Sequence, residues 1–338
     1  MAADNLDGMD AGRIGGGGAA PSVADLGERV LLAELMRIAT TTVVPRSAPD
    51  ARVMVGPGDD AAVLGLRGPL VVSTDTLVQD RHFRLRWSTP QDIGARAAIQ
   101  SAADIAAMGA VCVGLVVSIG CPATTPARTV LAIDAGLVEA AAGFGAQVVG
   151  GDLVRTEEIV VSVTSLGVLA GSGSIQLGGA RVGDVVAVSG PVGSSAAGLA
   201  LLHGRVDQFP DLVAAHRVPI VDLTQGSIAA AAGARAMTDI SDGLVDDAAT
   251  MARASEVTLE ISSALLPVDP QLMDAARRLE ADPLEWTLGG GEDHQLLATF
   301  AATIPPGWTV IGEVVEPRSS SPVLVDGQVP QVRGWQSF

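Results

Sequence analysis

Apolar residues recur along the first half of the chain at two different periods. Between positions 26 and 39 they fall at Val30, Leu31, Ala33, Leu35 and Ile38, a spacing that predicts an amphipathic helix. Positions 91–108 are Ala-rich and helical in pattern, with Gly109 as a stop, and 129–144 repeats the theme after Pro126. Shorter apolar runs predict strands at 53–55 and 61–64, on either side of the acidic turn Gly56-Pro57-Gly58-Asp59-Asp60. Further strands are expected at 70–73, short and buried and ending in Thr74-Asp75, at 111–119, at 147–149 running into Gly150-Gly151-Asp152, and at 159–169. After the Gly/Ser-rich stretch 171–179, strands are expected at 184–189, 236–240, 258–261, 294–300, 308–315 and 323–325, with helices at 194–202, 244–254 and 270–279. The alternation predicts an α/β or α+β fold in two domains, 26–172 and 173–338, behind a flexible tail at 1–25.

Composition narrows this picture. A chain of 338 residues that is 48% hydrophobic can bury a sizeable core and has room for about two domains. Cys112 and Cys121 are its only cysteines, which excludes a disulfide scaffold and a Cys-rich metal centre and fits a reducing compartment. All 21 basic residues are arginine, so no Walker A or Schiff-base lysine exists. Net charge of -17 argues against nucleic acid or an anionic membrane as a partner. The N-terminus lacks the basic start and apolar stretch of a secretory signal; of the uncharged run 105–127 only 105–121 is apolar, and that part is interrupted by glycines and short for a span. These features predict a soluble, cytoplasmic protein.

The placement of carboxylates carries the chemistry. Asp60 sits in a Gly-Asp-Asp turn, Asp75 ends Ser73-Thr74-Asp75, Asp152 follows two glycines, and Asp239 and Asp242 flank Ser241. Strand ends and glycine turns are where α/β proteins dock ligands. Hard carboxylate and hydroxyl oxygens suit Mg²⁺ bridging to phosphate, and clustered aspartates are tolerable only beside cations. Each aspartate alone also suits an ordinary turn or cap, as Asp242 before 244–254 illustrates. Asp104 fits that reading least, standing between Ala103 and Ile105 on an apolar helix. The glycine clusters 190–193 and 289–291 are possible phosphate cradles, and Arg155 is a local cation for a nucleotide. His82 reads as a surface histidine and His294 as structural; no zinc spacing and no Gly-x-Ser-x-Gly elbow exists.

Taken in order, Gly58-Asp59-Asp60-Ala61-Ala62, Ser73-Thr74-Asp75-Thr76-Leu77-Val78, His82-Phe83, Ser101 to Asp104 with Met108-Gly109-Ala110, Gly150-Gly151-Asp152, Asp239-Ile240-Ser241-Asp242-Gly243-Leu244 and Gly289-Gly290-Gly291-Glu292-Asp293 form a series. That series resembles the thiamine-monophosphate kinase family, in the superfamily of aminoimidazole ribonucleotide synthetase and selenophosphate synthetase. The resemblance implies ATP-dependent phosphorylation of thiamine monophosphate to thiamine diphosphate. It implies a homodimer whose N-terminal sheets pair into a barrel-like core, and an ATP site with several Mg²⁺ ions in the cleft between domains. By motif, Asp60, Ser73, Thr74, Asp75, Asp104, Asp152, Asp239 and Asp242 look like metal ligands. Asp75, Asp152 and Asp242 look like the catalytic core among them. Gly151 and Ser241, with Asp152 and Arg155, look like nucleotide contacts, and His82, Glu292 and Trp335 like acceptor contacts. Where related kinases commonly carry an ATP-contacting arginine, this chain has Leu177, so either Arg181 or Arg155 substitutes or nucleotide binding relies more on metal. Other enzymes of the superfamily use a lysine or a terminal cysteine that this chain lacks; a non-catalytic nucleotide-binding protein is the remaining alternative.

Overall fold

The computed structural model describes residues 20–45, 51–169, 171, 173–301, 303–319, 321–332 and 334. Trp335 and most of the expected tail lie outside the described residues. Residues 21–25 are tied down rather than free. Helix α1 (Val23–Leu26) carries a capping box from Ser22 and Asp25, and the Val23 amide donates to the Thr125 carbonyl.

Helix α2 (Glu28–Thr41) and the hairpin of β1 (Ala51–Val55) and β2 (Val63–Leu66) flank the first sheet. That sheet contains β3 (Leu70–Val78), β4 (Val111–Cys121), β5 (Gln147–Arg155) and β6 (Val160–Val168) in the order β3-β6-β4-β5, so β3 and β5 are its free edges. Helices α3 (Pro90–Ala107) and α4 (Ala127–Gly143) supply buried residues to the core cluster that also takes Leu115, Val117, Ile119, Val161 and Val163 from the sheet. The two helices cross backbone to backbone. A Cβ at Gly94 would stand 1.8 Å from the Ile133 carbonyl oxygen, and one at Gly136 2.1 Å from that of Gln91. The opposite sheet face exposes Val72, Val116 and Val154 among hydroxyl-bearing neighbours.

Two strands run further than expected. β3 is nine residues with alternating exposure, not a short buried strand, so Ser73, Thr74 and Asp75 are mid-strand. β5 continues through Gly150-Gly151-Asp152. A Cβ at Gly151 would lie 2.3 Å from the Val117 carbonyl oxygen, so close strand approach already requires this glycine.

The second sheet holds β7 (Val185–Val188), β8 (Ala236–Asp239), β9 (Thr258–Ile261), β10 (Leu296–Phe300), β11 (Thr309–Val315) and β12 (Val323–Val325) in the order β12-β9-β11-β7-β10-β8. Its helices are α5 (Ser194–Gly204), α6 (Pro210–Arg217), α7 (Thr224–Ala231), α8 (Leu244–Ser255), α9 (Pro270–Leu279) and α10 (Pro283–Gly289). α6, α7 and α10 were not expected; each has only seven or eight residues, too few to establish a period. The C-terminal end of α3 joins the two domains: Ala106 and Ala107 share a cluster with Ile175, Met237, Phe300 and Trp308. Cys112 and Cys121 are free and buried, and burial pushes the Cys112 thiol up to about 12. No helix among the described residues is long and apolar enough to cross a membrane.

Asp134 of α4 is buried beneath α2 with Oδ2 unpartnered, and burial pushes its carboxyl up to about 7. A carboxyl pKa raised on folding leaves stability intact below the unfolded value near pH 4; stability then falls until the folded value is passed. Asp134→Asn is expected to stabilise the fold at pH 8 by up to about 4 kcal/mol, with the gain fading toward pH 4. Urea melts at the two pH values measure this; an equal effect at both would show that ionisation is not the cause.

Candidate functional site

Packing of α3 on the inner face of the first sheet, and of its C-terminal end on the second domain, brings carboxylates from distant sequence positions together. Ser73 and Asp75 lie on the β3 face toward α3, and the Ser73 hydroxyl donates to Asp104 Oδ2 at 2.5 Å. β8 ends at Asp239 beside them. Burial, followed by the charge of Asp239, pushes the Asp104 carboxyl up to about 7. Burial also raises Asp75, whose Oδ2 has no protein partner, while His294 opposes the rise. Asp242 is raised by burial and by Asp246 and Asp239. Asp75, Asp104, Asp239 and Asp242 thus form one mutually repelling group spanning both domains. His294, expected to be structural, belongs to it: Nδ1 lies 2.9 Å from Asp239 Oδ2, and Nε2 is buried without a partner.

The turn carrying Asp242 is held by a residue the motif reading passed over. Asp247 Oδ2 accepts the amides of Ser241, Asp242 and Gly243 at 3.0, 3.0 and 3.1 Å. Burial pushes this carboxyl up to about 7, and the amide hydrogen bonds oppose the shift. Asp247, and not Asp242, therefore organises the start of α8. A carboxylate one turn inside a helix that follows Ser-Asp-Gly is the signal that would have found it.

The remaining proposed ligands stand elsewhere. Thr74 faces the opposite side of the sheet, against Thr164. Asp152 pairs with Ser118, which pairs with Ser162 and through it with Thr76; this row lies on that same outer face. It is three strand spacings, about 14 Å, from β3. Asp60 is exposed in the β1–β2 turn, whose Pro57 shares a small cleft under α2 with Gly150, Gly151 and Asp152. Arg155 is exposed opposite Cys121 at the end of β5. Among the described residues no three carboxylate, imidazole or thiol groups stand close enough to enclose an ion by themselves. The fit to Mg²⁺ is nonetheless good in kind: hard oxygens, an orphaned carboxylate oxygen on Asp75, and repulsion that a cation relieves.

Beside this group opens a cavity of about 370 Å³ lined by His82, Arg84, Trp87, His203, Glu292 and Gly334, among others. The Val78 amide donates to His82 Nδ1 at 3.0 Å, so that nitrogen carries the lone pair and Nε2 carries the proton. Burial, aided by Arg96, lowers the His82 pKa and keeps the ring neutral. Arg96, only 1% exposed, donates to the Glu292 carboxylate and to the His216 carbonyl. It fixes Glu292 across the domain junction, and its role was not legible from an Ala-rich helix pattern. Trp87 carries the Arg84 guanidinium 4.5 Å from its ring centroid and meets His203 edge-on. Asp293 anchors the Gly193 and Ser195 amides at 2.5 and 2.9 Å, closing the start of α5 against the cavity floor.

Comparison with known proteins places this geometry. The AIR synthase related protein N-terminal domain matches residues 58–169, and the corresponding C-terminal domain matches 181–324. A thiamine-monophosphate kinase of Mycobacterium tuberculosis is 46% identical over 321 residues, covering 94% of this chain and 93% of that one. One from Corynebacterium glutamicum is 41% identical over 328 residues, covering 94% and 95%. Among solved structures, thiamine monophosphate kinase from Aquifex aeolicus matches with a TM-score of 0.72 and 29% identity over 92% of this chain and 99% of that one. AaThiL complexed with AMPPCP and TMP matches with a TM-score of 0.74 and 29% identity, covering 95% and 100%.

Proposed function

Because the chain belongs to the thiamine-monophosphate kinases of the AIR synthase related family, we propose that its interdomain carboxylates and the adjoining cavity are the two halves of one phosphoryl-transfer site. The protein phosphorylates thiamine monophosphate with ATP as co-substrate. A phosphate oxygen of the acceptor attacks the γ-phosphorus in line, the bond from that phosphorus to the β,γ-bridging oxygen breaks, and ADP leaves. The attacking oxygen is already anionic, so the site needs no strong general base. What it must overcome is repulsion between two phosphate chains.

The observation that carries this reading is the convergence of Asp75, Asp104, Asp239 and Asp242 from both domains, with the Ser241–Asp242 turn in contact with Gly291 and Gly334 of the cavity wall. When bound, Mg²⁺ neutralises phosphate charge and aligns the reacting groups. Asp75, Asp104, Asp239 and Asp242 would hold it, with Ser73 fixing Asp104. In the cavity, His82 offers an Nε2–H to the acceptor, and Glu292, held by Arg96, faces the cationic thiamine ring.

Asp152 enters the same site from a second copy. The outer sheet face exposes Val72, Val116 and Val154, and the two free edges are β3, which bears Asp75, and β5, which bears Asp152. Closing two such sheets face to face into a barrel sets β3 of one chain beside β5 of the other, so the partner's Asp152 comes beside β3 on the face of Thr74 and Thr76, one residue along the strand from Asp75. The homodimer is thus part of the site, and the reaction belongs in the cytoplasm with its soluble co-substrates.

Subunit mixing tests this arrangement. Asp75→Asn and Asp152→Asn homodimers are each expected to be inactive in transferring phosphate from ATP to thiamine monophosphate. Random exchange makes half the dimers mixed, each with one intact site, so activity should recover to about a quarter of the wild-type level. Dimers that exchange without recovery would place both aspartates in the same chain's site.

A further inference from the structure

The turn that carries Asp242 is crossed by two other stretches of chain at distances only glycine permits. A Cβ at Gly291 would lie 2.4 Å from the Ser241 carbonyl oxygen, and one at Gly334 would lie 2.3 Å from that of Asp242 and 2.7 Å from Asp246 Oδ2. The Gly334 amide donates to Asp246 Oδ2 at 2.8 Å. Gly334 and Gly291 both line the 370 Å³ cavity, while Gln331 and Val332 line the open groove that continues from it past His203 and Trp286. Val332 also packs on the core of the second domain. Gly334 therefore stands at the cavity wall close to an apolar anchor at Val332, and the Asp246 carboxylate accepts its amide.

We propose that Asp246 is a positioning residue for the acceptor: its carboxylate latches the C-terminal stretch at Gly334 and so sets one wall of the thiamine monophosphate pocket. Asp246 does not touch the acceptor itself. It sits in the first turn of α8, four residues after Asp242, and links the acceptor wall to the turn that bears the metal-binding aspartate. The latch rests on the reading of this cavity as the acceptor site. It predicts a specificity effect on one substrate, because Gly334 lines the cavity read as the acceptor site.

Steady-state kinetics separate the possibilities. Asp246→Ala is expected to raise KM for thiamine monophosphate about tenfold, the scale of a lost charge-assisted hydrogen bond, while KM for ATP changes less than about twofold. Asp246→Asn keeps an acceptor oxygen and should restore most of the loss. Gly334→Ala, which cannot occupy the latched position, should raise KM for thiamine monophosphate at least as much. Circular dichroism melts of each variant establish folding. His82→Ala and Glu292→Gln serve as the reference for the cavity. If those two raise KM for thiamine monophosphate and Asp246→Ala does not, the latch is wrong and the cavity reading stands. If none of them changes that KM, the cavity is not the acceptor site. Equal rises in both substrates' KM values for Asp246→Ala would also overturn the latch.

Discussion

Asp75→Asn is expected to lower kcat for thiamine monophosphate phosphorylation by about a thousandfold or more, the scale on which charge stabilisation operates in such sites, while the protein remains folded. The two halves of this expectation have one cause. Asp75 is half-buried, its Oδ2 atom is buried without a protein donor, and burial raises its carboxyl above the usual range. A group raised on folding costs stability as pH rises past its unfolded value, so removing its charge should leave the melting temperature at pH 7.5 unchanged or higher. Thermal denaturation alongside a coupled ADP-release assay reads both quantities. Near-normal kcat in Mg²⁺ would remove Asp75 from the site, and a lower melting temperature would mean its carboxylate is structural. A gain in stability with loss of turnover is the mark of a residue kept for charge placement rather than for folding.

The order of elements was legible because most helices and strands are long enough to display a period. The Ala-rich helix ending at Gly109 and the strand beginning at Val111 are clear examples, observed as α3 and β4. Asp104 was also legible, since a carboxylate among Ala103 and Ile105 needs a partner, and Ser73 is that partner. Convergence was not legible. Nothing local indicates that the inner face of β3 meets the end of β8 across the flank of α3. Nor does the local run Gly150-Gly151-Asp152 reveal that Asp152 projects from the other face of the sheet, because the strand-end reading stopped β5 at Val149 and the parity of its pleat was lost. The carboxylates at Asp60 and Asp152 are the ones the chain leaves apart from this group, and nothing in the periodicity separates them from those that converge. Arg96 and Asp247 escaped notice for a related reason: their partners are a carboxylate 196 positions away and three backbone amides, neither of which has a sequence signature.

Asp247→Ala is expected to be the most damaging change outside the converging aspartates Asp75, Asp104, Asp239 and Asp242. The carboxylate is the shared acceptor for three consecutive amides, those of Ser241, Asp242 and Gly243. Alanine leaves these donors to compete for water in a turn where Gly243 is already buried against the Gly289 carbonyl. Loss of such a buried hub costs about 2–4 kcal/mol of stability, and the turn that aims Asp242 loses its definition. A misplacement of about 1 Å at a phosphoryl-transfer centre is worth roughly a hundredfold in rate, so kcat should fall by about that factor while the remaining carboxylates stay in place. Asp247→Asn, which retains one acceptor oxygen but no charge, should fall between the two. Hydrogen exchange at residues 241–243 distinguishes this from general destabilisation: those amides should lose protection in Asp247→Ala before the amides of β10 do. Wild-type kcat in a variant whose turn amides exchange freely would mean that Asp242 needs no such support, and its proposed role in holding Mg²⁺ would then have to be reconsidered.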